Sequence, residues 1–230
     1  MPPSNLEILA YDDTPLGPLC LRRRELLSAP GTVVTEVTLN HEFLMSSYNT
    51  ASERGLSRIA IEMHRGSGLK VLVGGLGLGY TAEAALAYPD VASVEVVEFL
   101  PEVIGWFDRG LVPLAEKLAA DPRFSTSQGD VYARLGEPAA ALFDIILIDV
   151  DHAPDDQLSD ANDWFYTEDG LERARAHLAP AGVLGVWSSA ESSSFSRALH
   201  EAFTEVRVES VAFYNEMVGE ENVDWLFFAR

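Results

Sequence analysis

The residues of this chain that could do chemistry are a glycine-rich bend and three carboxylates. Gly74, Gly75, Gly77 and Gly79 follow a short apolar run at 70–73, and Glu98, Asp130 and Asp149 close or follow similar runs at 93–97, 124–128 and 143–147. Runs this short, with no room for a helix before the next turn, read as buried strands. Glycines after such a strand turn the chain sharply and leave no Cβ between backbone and ligand. Residues 81–88 then form an Ala- and Leu-rich helix that stops before Pro89. In open α/β sheets ligands bind beyond the carboxyl ends of the strands, where an acidic side chain can accept both hydroxyls of a ribose. A nucleoside site follows, with Glu98 on the ribose, Asp130 on the exocyclic amine of adenine and Asp149 nearest the reacting atoms. Each aspartate taken alone is as well suited to capping a helix, but strand-order rules bring all three to one rim.

The glycine spacing narrows the nucleoside. Gly75-Leu76-Gly77-Leu78-Gly79 is G-x-G-x-G, and Tyr80 stands where the dinucleotide fingerprint has its third glycine. No G-K-[ST] follows, so the loop is not a P-loop. The pattern suits a ligand without a pyrophosphate, such as S-adenosylmethionine (AdoMet).

The elements that must position these residues alternate. Strands at 70–73, 93–97, 124–128, 143–147 and 183–187 are interleaved with helices at 81–88, 101–120, 164–178 and 194–203. Such alternation implies a parallel sheet, and strands at 206–213 and 223–228 add an antiparallel hairpin at its edge. Residues 50–53, T-A-S-E, match a capping box in which Thr50 and Glu53 exchange backbone hydrogen bonds at a helix start. Residues 1–49 read as a separate small β-unit and link, with strands at 6–11, 19–26 and 32–39, and 50–230 as the nucleoside-binding domain. Arg22, Arg23 and Arg24 read as a solvated strand edge, and 41–49 as a link, polar and aromatic by turns, that either lines a pocket or is an ordinary loop.

Bulk properties exclude more than they assign. The chain has 230 residues, 47% of them apolar, with 16 Lys+Arg against 36 Asp+Glu, a formal charge of −20. Such a field repels nucleic acid and anionic lipid and attracts cations, although it equally serves solubility. Cys20 is the only cysteine, so no intrachain disulfide forms. Without an apolar run of about 18 residues or a signal-like N-terminus, the expected location is the cytoplasm, with no membrane partner.

Seven segments resemble the spermidine synthases (polyamine aminopropyltransferases): TASERG at 50–55, VLVGGLGLG at 71–79, VEVVEFLPEVI at 94–104, DPRFSTSQGD at 121–130, FDIILIDVDHAP at 143–154, WFYTEDGLERARAHLAPAGVLGVW at 164–187, and the C-terminal hairpin. The resemblance implies a Rossmann-like, seven-stranded class I AdoMet methyltransferase fold with a short N-terminal β-unit, forming a homodimer. It implies transfer of an aminopropyl group from decarboxylated AdoMet to a small cationic amine, without a metal. Asp149 then accepts the amine's proton, with Asp151 and His152 beside it, and Tyr48, Glu53 and Tyr166 are the candidates for holding the amine. Two departures bear on donor and acceptor. The family loop carries an aspartate that this loop lacks, and the family's D-x-x-D is here Asp149-Val150-Asp151-His152. Intact AdoMet, used by a methyltransferase on the same fold, is therefore the second reading, and a non-catalytic nucleoside-binding protein the third.

Overall fold

The computed structural model describes residues 5–150, 152–158, 160–215 and 220–230. The chain begins with a four-stranded antiparallel sheet of β1 (Leu6–Thr14), β2 (Gly17–Glu25), β3 (Val33–Leu39) and β4 (Glu42–Ser46), in sequential order. The fourth strand lies in the segment read as a link, pocket-lining or loop. Leu39 pairs directly with Glu42, and the two residues between them, Asn40 and His41, both have positive φ (51° and 70°). That is the backbone of a two-residue primed hairpin turn, here made without the usual glycine. The arginine cluster also differs from expectation, because β2 is an interior strand. Arg22 and Arg24 donate from Nε to the two carboxylate oxygens of fully buried Glu36 at 2.9 and 2.8 Å.

The main sheet has seven strands: β5 (Leu69–Gly74), β6 (Val91–Glu98), β7 (Phe124–Gln128), β8 (Phe143–Ile148), β9 (Leu178–Ser188), β10 (Val206–Asn215) and β11 (Glu220–Ala229). Their order is β10-β11-β9-β8-β5-β6-β7, parallel except for β11, which runs antiparallel to both neighbours. The chain moves outward from β5 to β6 and β7, then returns to β8 on the other side of β5. The crevice between β5 and β8 is thus the switch point at which ligands bind.

Among the described residues seven α-helices cover the two faces: α1 (Ala51–His64), α2 (Tyr80–Leu86), α3 (Pro101–Asp108), α4 (Ala115–Ala119), α5 (Val131–Gly136), α6 (Glu168–Arg175) and α7 (Ser193–Ala202). Side chains alternate across the sheet: Val71, Val73, Ile145 and Leu147 enter one core, and Leu72, Ile146 and Ile148 the other. Leu19, Leu21, Val37 and Leu39 of the small sheet belong to the first core. The line drawn at residue 49 therefore separates two sheets without separating two cores.

Three local expectations are corrected. The helix expected over 101–120 is two, broken where Gly110 takes φ +66°, a conformation that ends helices. The helix expected over 164–178 is a 3₁₀ segment at Asp160–Tyr166 followed by α6, whose N-cap Thr167 accepts a bond from Gly170 N–H. The capping box does not form. Thr50 makes no side-chain cap, and its Oγ1 instead accepts from Arg54 Nε at 3.2 Å, while Glu53 lines a cavity.

Candidate active site

The glycine bend is fixed from three sides. Gly75 N–H donates to Val97 O, and Asp149 N–H donates to Gly74 O, both at 2.9 Å. Gly75 has φ +92°, and a Cβ there would lie 2.2 Å from the Asp149 carbonyl oxygen. Glu98 holds the loop from the end of β6. Its carboxylate accepts from Leu76 N–H and Leu100 N–H, each at 2.8 Å, and it is buried. Burial pushes its pKa up, and backbone N–H groups of residues 76, 77, 99 and 100 oppose that rise. A carboxylate oxygen has more than one lone pair, so Glu98 can still accept from a ligand hydroxyl.

Glu98, Gly75, Gly77, Asp130 and Asp149 line one cavity of about 320 Å³, to which the small sheet contributes Leu19, Val37 and Leu39. Asp130 also serves as N-cap of α5. Its Oδ1 accepts from Tyr132 N–H and Ala133 N–H at 2.8 and 3.2 Å. Capping and lining the cavity are therefore one arrangement here.

Asp149 and Gly77 also line a second cavity, of about 240 Å³, with Ser52, Glu53, Thr81, His152, Trp187 and Asp224. No lysine or arginine is among its described lining residues. The nearby cations are used elsewhere: Arg54 and Lys117 both bind Glu83. Asp149 Oδ2 accepts from Thr81 Oγ1 at 2.6 Å, yet burial, with Asp224 adding to it, pushes Asp149 up to about 6. Glu53 is pushed up to about 8, first by burial and then by the negative charges of Asp149 and Asp224. Burial also raises Asp224, although Ser52 Oγ–H donates to it at 2.6 Å. The Trp187 indole N–H lies close enough to Asp224 to lower its pKa but falls outside hydrogen-bonding geometry. Three carboxylates without a cation make a site for positive charge.

Of the residues singled out in the sequence, the structure brings together Gly75, Gly77, Gly79, Glu98, Asp130, Asp149, His152 and Glu53, whereas Gly74 lines neither cavity and instead accepts from Asp149 N–H. Asp151 lies outside the described residues. Tyr48 and Tyr166 are not among the residues lining either cavity. Tyr166 packs edge-on against Phe165 and Phe195, and its hydroxyl meets that of Tyr132 at 2.9 Å. Its ring is part of an aromatic core. Sequence reasoning missed Asp224 and Ser52. The available signal was a lone carboxylate inside the apolar run 223–229, where an ionised group must have a purpose or a partner.

The raised Glu53 has a consequence for stability. The folded protein holds this proton more tightly than the unfolded chain, so the contribution is full below about 4.5 and lost as pH rises through about 8. Glu53→Gln should melt with wild type in acid and roughly 3 °C or more above it near pH ~9, in the absence of amine. A melting-temperature difference that is the same at both ends of that pH range would contradict the assignment.

No family model matches the chain. A segment of 119 residues is 32% identical to polyamine aminopropyltransferase 2 of Streptomyces coelicolor, covering 51% of this chain and 21% of that protein. A segment of 150 residues is 28% identical to the polyamine aminopropyltransferase of Prochlorococcus marinus, covering 65% and 48%. Putrescine N-methyltransferase 3 of Nicotiana tabacum is 31% identical over 115 residues, 50% of this chain and 29% of its own length. The chain thus spans less than half the length of each of these relatives. In fold, spermidine synthase in complex with the transition-state analogue AdoDATO superposes with a TM-score of 0.76 at 18% identity, over 96% of this chain and 73% of that one. The Thermotoga maritima spermidine synthase gives 0.74 at 18%, over 96% and 72%. Part of the chain is thus similar in sequence to polyamine aminopropyltransferases, and its fold is the class I AdoMet methyltransferase-like fold of the spermidine synthases.

Proposed function

We propose that the protein is a transferase that moves an aminopropyl group from decarboxylated AdoMet to a small cationic amine. The observation that carries this reading is the position of Asp149 on the shared wall of two cavities. One has the ribose-type carboxylate Glu98 and the glycine bend; the other has Glu53, Asp224 and no described cation. In this reading the nucleoside lies in the first, with Glu98 on its ribose and Asp130 near its base. The amine enters the second, where Asp149 accepts a proton from its reacting nitrogen. The freed lone pair forms a bond to the methylene carbon next to the sulfonium. The carbon–sulfur bond breaks, its electrons return to sulfur, and methylthioadenosine leaves. Holding both reactants against one carboxylate supplies proximity and alignment.

Methyl transfer is the second reading. It draws on the absence of a carboxylate in the loop 74–79 and on the putrescine N-methyltransferases among the relatives. Incubating the protein with putrescine and either decarboxylated AdoMet or AdoMet, followed by mass spectrometry, separates the two. Equal amounts of methylthioadenosine and aminopropylated amine are expected from the decarboxylated donor. A methylated amine from AdoMet, with no aminopropylated product, would reverse the order.

A further inference from the structure

Asp149 is held from two directions. Its backbone N–H donates to Gly74 O, at the end of β5, at 2.9 Å. Its side chain is tied to α2, where Thr81 Oγ1–H donates to Oδ2 at 2.6 Å. Thr81 is the only hydrogen-bond donor to this carboxylate among the described residues. Thr81 is itself fixed: it is buried, and its carbonyl oxygen accepts from the hydroxyl of fully buried Ser57, on α1, at 2.6 Å. A β-branched side chain has few χ1 wells, so holding the backbone of Thr81 from α1 also aims its hydroxyl. That hydroxyl has a single hydrogen, and Asp149 takes it.

We propose that Thr81 is a positioning residue for the proton transfer: its hydroxyl, steadied from α1 by Ser57, pins Oδ2 of Asp149 and thereby aims Oδ1 at the reacting amine. The inference rests on the transferase reading for what arrives at Oδ1. It adds which oxygen takes the proton and which residue aims it. The χ2 torsion of an aspartate is broad, so without a partner its oxygens sweep a range of directions. A short bond to Oδ2 sets the carboxylate plane, and with it the direction of the lone pairs on Oδ1. The same bond favours the ionised, proton-accepting form. It works against its surroundings: Glu53 of α1, Asp224 of β11, Tyr80 of α2 and His152 line the second cavity with Asp149, and Glu98 and Asp130 the first. Burial raises the pKa of Asp149 and the Asp224 charge adds to it, while the Thr81 hydroxyl opposes both.

Thr81→Val keeps the branched shape and removes the hydroxyl, whereas Thr81→Ser keeps the hydroxyl. Carbon-13 NMR titration of the Asp149 carboxyl, its signal assigned by its loss in Asp149→Asn, reads the bond without turnover. The midpoint should rise by about one pH unit or more in Thr81→Val and stay near wild type in Thr81→Ser. With decarboxylated AdoMet and putrescine, Thr81→Val should lower kcat about 10–10²-fold at pH ~9, where Asp149 is ionised in both proteins, with KM for the amine little changed. The serine variant should recover most of that loss. Methylthioadenosine affinity should stay within a few-fold of wild type, because Thr81 lines the second cavity and not the first. Thr81→Ala carries the same expectations should the valine variant not fold. An unmoved carboxyl midpoint overturns the proposal, as does wild-type kcat at the alkaline pH or a loss that serine does not recover. A wild type that forms no product from either donor, with the midpoint shifted in the variant, removes the transferase reading and leaves the hold of Thr81 on Asp149 standing.

Discussion

Asp149→Asn should lower turnover by about 10²–10⁴ while leaving methylthioadenosine affinity within a few-fold of wild type. The asparagine keeps the shape of the side chain and its contact with Thr81 Oγ1, so the nucleoside cavity is preserved. What disappears is the one group, among the described residues lining both cavities, that can take a proton. Its raised value also predicts a pH profile. Below about 6 Asp149 is protonated and cannot accept from the amine, so kcat/KM for the amine should fall as pH drops through that value. The limb should be missing from the residual activity of the variant. Normal turnover by Asp149→Asn would remove the aspartate from the chemistry, and an unchanged limb would assign it to another group.

Gly75→Ala is the second large effect. At φ +92° an L-residue is strained, and the added Cβ would sit 2.2 Å from the Asp149 backbone oxygen. Backbone cannot rotate aside as a flexible side chain could. The bond from Asp149 N–H to Gly74 O ties the same two segments together, so relief must open the join between β5 and β8. We expect a loss of about 3 kcal/mol or more in urea unfolding. Nucleoside affinity should fall with it, because the loop that Glu98 holds can no longer seat. A variant that melts with wild type and binds methylthioadenosine equally would show that this close approach is not needed. By contrast, the Glu53→Gln effect on stability is smaller and opposite in sign above neutral pH.

These two residues illustrate what a single sequence makes legible. The glycine bend and Glu98 are linked by a local βαβ unit, so their spacing along the chain translates directly into proximity. Asp149 is readable for a related reason: parallel strands put their carboxyl ends on one rim whatever lies between them. Asp224 was hidden because β11 runs antiparallel to β9, and nothing local to residues 220–229 says which end of that strand meets the rim. Its partner Ser52 lies on the first helix, so only the folded chain joins them.

Local patterns misled where tertiary contacts satisfied the same groups differently. T-A-S-E has the letters of a capping box, yet Glu53 lines the acidic cavity and Thr50 is taken by Arg54. Tyr166 has the chemistry to hold an amine, but its ring completes an aromatic cluster with Phe165 and Phe195. The hairpin at Asn40-His41 lacks the glycine by which such turns are recognised, and without it β4 reads as part of the link. That strand matters for the site: Leu44 and Met45 line both cavities.

A crystal structure of the protein with methylthioadenosine would test the convergence most directly. The account predicts both ribose hydroxyls on Glu98, the adenine beside Asp130, and the sulfur at the opening toward Asp149, Glu53 and Asp224. A nucleoside bound elsewhere, or one whose sulfur points away from Asp149, would contradict it.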